Sequence, residues 1–325
     1  MKKLLLFLFT VCLLAGCGAQ VDTPETKPAQ PVPTEAAAVT EPSRSPDMVA
    51  LVVSDRLSVA YTLTAPDPNG DYGEDISINA QGGEALAKWL LGQSALDGLT
   101  AYQEGLFLPA EEDSVYSGWI AKATDHTRAI RLMTTVNVAE VGLLEAILPA
   151  FEEEFGYEVE ILAEKEEEIY LCAALGEADL VLAPAPREGD IFAEHANFRT
   201  LPGFKQRHIP LLRCPYVLCG PAEDPAGVKS IGDAADAVVS VSELKLRAAL
   251  KAIAETGCYF ISRGDGSEAH WAERKLWPEA PEGDWYVAAD TEMGPCLTIA
   301  EEMGGYVLSD ALTFEIFRTW NGIVS

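Results

Sequence analysis

Residues 129–137 read AIRLMTTVN, an apolar run that closes on Thr134-Thr135-Val136-Asn137 just ahead of a helical pattern. Ala129 to Met133 has the make-up of a strand. From Glu140 to Phe155, the apolar residues Val141, Leu144, Leu148, Phe151 and Phe155 recur three and four apart, the period of one helix face. Pro149 falls inside that run and predicts a kink or a break. A strand that passes into a helix through hydroxyl and amide side chains is the repeating unit of an α/β sheet. Sites in such sheets gather where strands end and helices begin.

The alternation continues outward. Tyr157 to Leu162 alternates as a strand, Glu166 to Leu175 is helical, and Asp179 to Ala183 is an apolar strand. A further apolar stretch, Tyr216 to Cys219, ends at Gly220-Pro221, with helices expected near 230–237 and 242–256. Strands at Tyr259–Ile261, Trp285–Val287 and Tyr306–Leu308 alternate with helices that start near 267 and 295. This order predicts an α/β fold of mainly parallel sheets flanked by helices. Residues 48–112 have their own pattern: a strand at Leu57–Leu63, a helix at Glu84–Leu91 stopped by Gly92, and a short helix from Ser94. That piece holds too little apolar surface for a core of its own and needs a partner surface.

At the N-terminus, Lys2-Lys3 precede the apolar run Leu4–Leu14, followed by Leu14-Ala15-Gly16-Cys17. This is the layout of a signal peptide over residues 1–17, too short to span a bilayer as a helix. Residues 18–47, rich in Pro, Thr, Ala, Glu and Gln, cannot bury enough surface to offset their ordering entropy and read as a disordered tether. The formal charge of −28, from 23 basic and 51 acidic residues, argues against nucleic acid as a partner. It suits an exported domain, and it opposes anions only at long range, because salt screens that field. Past Cys17 come Cys172, Cys214, Cys219, Cys258 and Cys296, with no Cys-x-x-Cys pair. Small buried hydrophobes are expected, and a Cys214–Cys219 disulfide is left open.

The segment ISRGDGSEAH, residues 261–270, follows an apolar run and carries an arginine and two glycines ahead of a helix. Thr134, Thr135 and Asn137 at one strand–helix junction, and Ser262, Arg263 and Ser267 at another, carry hydroxyl, amide and guanidinium donors that can point into a cleft, as an anion cradle requires. Helix capping explains the Thr, Asn and Ser residues equally well. Of the four histidines, only His270, near Glu268 and Asp265, has acid–base company. It reads better as a helix residue than as a catalyst, so no catalytic or metal-ligating residue and no cofactor are assigned.

From 129 to about 320 the chain resembles the substrate-binding lipoproteins of tungstate ABC transporters, within the two-lobed periplasmic-binding-protein-like (type II) class. Carrying the resemblance are Thr134–Asn137, Gly142–Glu152, Glu177–Ala183, Gly220-Pro221 with Asp224–Gly227, Ser262–Asp265, Gly283–Tyr286, Met293-Gly294 and Tyr306–Asp310. Leu-Ala-Gly-Cys resembles a lipobox, which implies lipid on Cys17 and a place at the extracytoplasmic face of a cell membrane. The family continues past its counterpart of Tyr306–Asp310 with a strand, a Trp-Leu helix and a Phe-x-Pro ending. Here residues 48–112 resemble that part, through Leu57–Leu63, Ala85–Gly92 and Gly105–Pro109. The resemblance therefore implies a circular permutation, in which 48–112 completes one lobe, 113–128 connects, and 129–325 forms the remainder, with a second lobe at about 213–290.

By resemblance the chain is a monomeric solute-binding protein that serves an ABC permease, with Thr134, Thr135, Asn137, Ser262, Arg263 and Ser267 around a tungstate- or molybdate-type oxyanion. It departs from the family where Gly266–Ala269 replace Asp-Ser-Gly-Thr, and where Ala163–Glu167 replace a glycine-rich turn. Both changes add acid, at Glu268 and at Glu164–Glu167. The alternative is a degenerate lipoprotein with an amino-bearing ligand or a sensor or interaction role.

Overall fold

The computed structural model describes residues 48–102, 106–110, 115–187, 189–231 and 241–320. The signal peptide, Cys17, the tether and most of the helix expected near 230–237 lie outside the described residues. In chain order the strands are β1 (Met48–Pro66), β2 (Leu108–Pro109), β3 (Ala129–Thr135), β4 (Glu158–Glu164), β5 (Leu180–Pro184), β6 (Phe198–Arg199), β7 (His208–Pro221), β8 (Phe260–Ser262), β9 (Tyr286–Ala288) and β10 (Tyr306–Asp310). The helices are α1 (Ala80–Leu90), α2 (Gln93–Ala101), α3 (Val136–Glu140), α4 (Leu143–Phe155), α5 (Ile169–Ala174), α6 (Val241–Thr256), α7 (Glu268–Leu276), α8 (Met293–Met303) and α9 (Ala311–Trp320).

The strands join one sheet in the order β4-β3-β5-β1-β7-β10-β8-β9, with β2 on β7 and β6 on β1. Both ends are parallel: β3 with β4 and β5, and β8 with β9 and β10. Between them the long strands β1 and β7 run antiparallel, from Met48 opposite Pro221 to Thr64 opposite His208. Their register shifts between Val53 and Ser58, so the pair has a break midway along its length.

Register fixes where the sheet ends point. Pro184, the last residue of β5, lies opposite Tyr61, and Asp310, the last of β10, lies opposite Tyr216. Ser58 pairs with Pro215 and Tyr61 with Leu212. The C-terminal ends of both parallel sets therefore face the same middle stretch of β1 and β7 from opposite directions, and that stretch becomes the floor of a cleft.

β5 is buried on both faces, which is why it reads as a continuous apolar run. Leu180 and Leu182 pack with Leu86, Leu90, Leu144 and Phe151 on one side. Val181 and Ala183 pack with Ile169, Tyr170 and Ala173 on the other. The 48–112 piece finds its partner surface here. A Cβ at Gly83 of α1 would sit 2.2 Å from the Asp179 carbonyl oxygen, so glycine alone allows the helix this close. Asp179 is buried and accepts from Asn79 N at 2.7 Å, Arg131 N at 2.8 Å and Arg131 Nη2 at 2.8 Å. Asn79 caps α1 through Gly82 N and donates to the Thr127 and Ala129 carbonyls.

Some expectations need correction. The helix expected from Glu140 to Phe155 is two helices, α3 and α4. The break falls at Gly142, whose φ of 79° is left-handed and cheap only for glycine, while α4 runs through Pro149. Cys214 and Cys219 are buried free thiols. At an odd spacing on one strand they face opposite sides of the sheet, about 16 Å apart, and no disulfide closes over that span. The strand expected at Tyr216–Cys219 is only the second half of β7, and the strand expected at Leu57–Leu63 is the middle of β1. The helix expected from Glu166 begins at Ile169, which leaves Glu166 on the preceding turn. α9 was not anticipated.

Removing residues 48–112 should abolish cooperative thermal unfolding, since β1 and α1 then leave β5, β7 and Asp179 uncovered. Asp179→Ala in the intact chain should lower the unfolding free energy by about 1–3 kcal/mol, by leaving the Asn79 and Arg131 amides without their acceptor, as measured by urea denaturation.

Candidate functional site

Between the opposed strand ends lies a cavity of about 730 Å³. Val59 and Tyr61 of β1 form its floor, Thr135 and Pro184 come from one sheet end, and Arg263 and Asp310 come from the other. A second cavity of about 820 Å³ adjoins it and shares Glu166, Glu167, Pro184, Arg263, Glu268 and Glu292.

The sequence-assigned residues fare differently. Thr135 lines the first cavity, is 7% exposed, and its Oγ1 has no hydrogen-bond partner. Arg263 lines both cavities, with its side chain 11% exposed, and its Nε and Nη2 both hold Asp265 Oδ2, at 2.8 and 2.6 Å. Asn137 also lines the first cavity, but its Nδ2 donates to Thr313 Oγ1 at 2.8 Å, which ties α3 to α9 across the cleft. Ser267 caps α7 by accepting from His270 N and lines the second cavity only.

Thr134 and Ser262 are not brought to either cavity. Thr134 is fully buried and its hydroxyl donates to the Leu182 carbonyl at 2.7 Å. Strand alternation explains this, because of the two adjacent threonines only Thr135 can face the cleft. Ser262 donates instead to Glu273, a buried carboxylate that also accepts from Trp277 Nε1 at 2.7 Å and the Tyr286 hydroxyl at 2.8 Å. That set of bonds fixes the end of β8 and thereby positions Arg263 next to it. His270 accepts from Gly266 N through Nδ1 at 2.8 Å, bracing the loop. Arg187 donates to the Gly266 carbonyl, a second bond across the cleft.

Acid dominates the electrostatics. The first cavity is lined by seven carboxylates against two basic side chains, Lys165 and Arg263. Three helix starts of the kind that attract anions lie around it, and each carries a protein carboxylate. Glu268 is in the first turn of α7, Glu292 is the N-cap residue of α8, and Asp310 accepts from Thr313 N at 2.8 Å as α9 begins. Burial pushes both Glu166 and Asp310 up from the ordinary carboxylate range; Arg263 opposes the shift of Glu166, and the bonds from Thr313, with Arg263 behind them, oppose that of Asp310. Asp265 goes the other way: its bonds from Ser267 and the charge of Arg263 outweigh burial and hold it down. A carboxylate roughly 5 Å from a unit negative charge costs about 3 kcal/mol at an effective dielectric near 20. Among the described residues, no group of three or more His, Cys, Asp or Glu is placed to hold a metal ion.

Residues 121–321 match the family model of the PBP superfamily domain. The chain belongs to this family. A protein of Haloferax volcanii named for binding an anion for an ABC transporter is 32% identical over 201 residues, 61% of this chain and 53% of that protein. The tungstate-binding protein TupA of Peptoclostridium acidaminophilum is 32% identical over 189 residues, 57% of this chain and 60% of its own length. The chain thus spans less than two thirds of both relatives. The solved tungstate ABC transporter structure from Geobacter sulfurreducens is 30% identical, over 61% of this chain and 78% of that one, with a TM-score of 0.47.

Several lining residues were not assigned from the sequence. Glu166 and Asp310 were noticed only as acid in a turn and as the end of a strand. Val59 and Met293 carry no polar side chain, and Tyr61 lies within an apolar strand. The α9 face of Thr313, Ile316 and Phe317 carries a signal of another kind, a three- and four-residue spacing that reads as a helix.

Glu166→Gln tests the electrostatics. A carboxyl whose folded pKa is raised binds more protons in the native state, so its unfavourable effect grows as pH rises from the unfolded-state value and is complete above the raised one. The variant should be more stable than the parent at pH 7, and the gap should close towards about pH 4, where both states are protonated. Urea denaturation at the two pH values measures it.

Proposed function

We propose that this chain is the solute-binding component of an ABC importer and takes a small solute through an oxyanion group in the cleft between two lobes. The observation that carries the reading is Arg263, held at the end of β8 by the Glu273 set of bonds and lining both cavities, where two opposed sets of strand ends meet. Unpartnered Thr135 Oγ1 adds a hydroxyl from the opposite end of the sheet. Names borne by the relatives, for an anion and for tungstate, agree with such a guest.

In this reading one lobe is built on β3, β4 and β5 and the other on β8, β9 and β10, so the second lobe extends past residue 290. The shift in β1–β7 register is the hinge, and the Asn137–Thr313 and Arg187–Gly266 bonds act as latches on the closed form. Lipid on Cys17 holds the domain at the extracytoplasmic face of a cell membrane, the 18–47 tether gives it reach, and it works as a monomer with its permease. Among the described residues no helix is long and apolar enough to cross a membrane. The chain binds rather than catalyses.

The order of its parts is, we propose, a circular permutation. β1 returns along β7 from the second lobe to the first, as a strand following β10 would, yet it comes first in the chain. The family match begins at residue 121, after this piece. Termini that lie at the surface make such rearrangement tolerable.

A thermal-shift screen tests the function, because a solute that prefers the native state raises Tm. At least one solute bearing a carboxylate, phosphate or metal-oxide oxyanion should raise it, and Arg263→Ala should cost about 2–5 kcal/mol of that binding. A Tm indifferent to every oxyanion-bearing solute would sink the reading.

A further inference from the structure

The charge and size of the cleft narrow the class of guest. Arg263 already holds Asp265 through two of its nitrogens, so it brings less than a full positive charge to the cavity. Lys165, the other basic residue lining it, is exposed. Facing them, half-buried Glu166 lines both cavities and accepts no hydrogen bond among the described residues. Asp310 is buried, and each of its oxygens accepts one bond from Thr313, at 2.8 Å, leaving a lone pair on each. Half-buried Glu268 stands in the same wall.

Carboxylates withdrawn from water without a countercharge are costly, and burial raises both Glu166 and Asp310. A guest bringing positive charge removes that cost, whereas a bare dianion adds to it. A metal ion is a poor candidate, since no convergent set of ligands is present among the described residues. An ammonium group, with three donors and no acceptor, suits separated carboxylates better.

One observation points to a bound guest and another to an organic one. Thr135 Oγ1 is buried and unpartnered in the cavity wall, a polar atom waiting for a partner. The volume of about 730 Å³ falls within the range of roughly 300–1,000 Å³ usual for organic ligands. Val59, Tyr61, Met293, Ile299 and Phe317 offer apolar wall to methylene groups.

Building on the solute-binding reading above, we propose that the guest is a small organic zwitterion. Its anionic group lies against Arg263 and Thr135, and its amino group is received by Glu166 and Asp310.

Isothermal titration of the full-length chain in mild detergent tests this with matched probes: γ-aminobutyrate against 4-hydroxybutyrate, and 2-aminoethyl phosphate against 2-hydroxyethyl phosphate, with tungstate and molybdate alongside. The amino member of at least one pair should bind about tenfold tighter or more, the advantage of a charge-assisted bond. Glu166→Gln should remove most of that preference, and Arg263→Ala should weaken both members. Equal affinity within both pairs overturns the proposal, as does silence from every probe. Tungstate or molybdate binding tighter than either amino compound, and lost in Arg263→Ala, overturns it while leaving the oxyanion reading standing. An amino preference indifferent to Arg263→Ala overturns that reading, and the zwitterion with it.

Discussion

The antiparallel pairing of β1 with β7 is the constraint on which everything else rests. These two strands are the only ones long enough to belong to both ends of the sheet among the described residues. Each end attaches to a different stretch of the pair: β5 to Tyr61–Thr64 of β1, and β10 to Tyr216–Cys219 of β7. Because strand direction is set by that attachment, both parallel sets aim their C-terminal ends at one place. The cleft is thus a consequence of register. A one-residue slip would turn Tyr61 and Val59 away from the floor and put their neighbours there.

The same geometry concentrates helix starts, and with them a positive potential, around the cavity. In this chain the potential is spent on the protein's own side chains: Glu268, Glu292 and Asp310 occupy the beginnings of α7, α8 and α9. Arg263 is likewise shared with Asp265. The cavity wall therefore presents an arginine, a lone hydroxyl and several carboxylates rather than a ring of free donors. That balance separates this cleft from one built around a bare oxyanion while keeping the architecture of its family.

Much of the fold was legible because its signals are local. β5 was readable as an unbroken apolar run since both of its faces are covered, and α4 through its three- and four-residue spacing. Arg263 was legible as a candidate for lining the cleft because it directly follows a buried strand and precedes a helix. The adjacent Thr134 and Thr135 could be placed at a strand end, but only the pleat told them apart, one bonded to Leu182 and the other unpartnered at the cavity. Ser262 is a donor as its type suggests, but Glu273 on the next helix, and not the cavity, receives its bond.

Taken alone, the sequence determined the alternation of strands and helices, the acidic character of the chain and the polar residues at its strand ends, since each depends on neighbours along the chain. Tertiary structure alone decided that residues 48–66 cross both ends of the sheet, that Asn137 reaches Thr313, and that Glu166 and Asp310 share a cavity with Arg263. Those facts depend on register and on approach between residues far apart in the chain, and neither the period of a segment nor its composition encodes which distant surface will cover it.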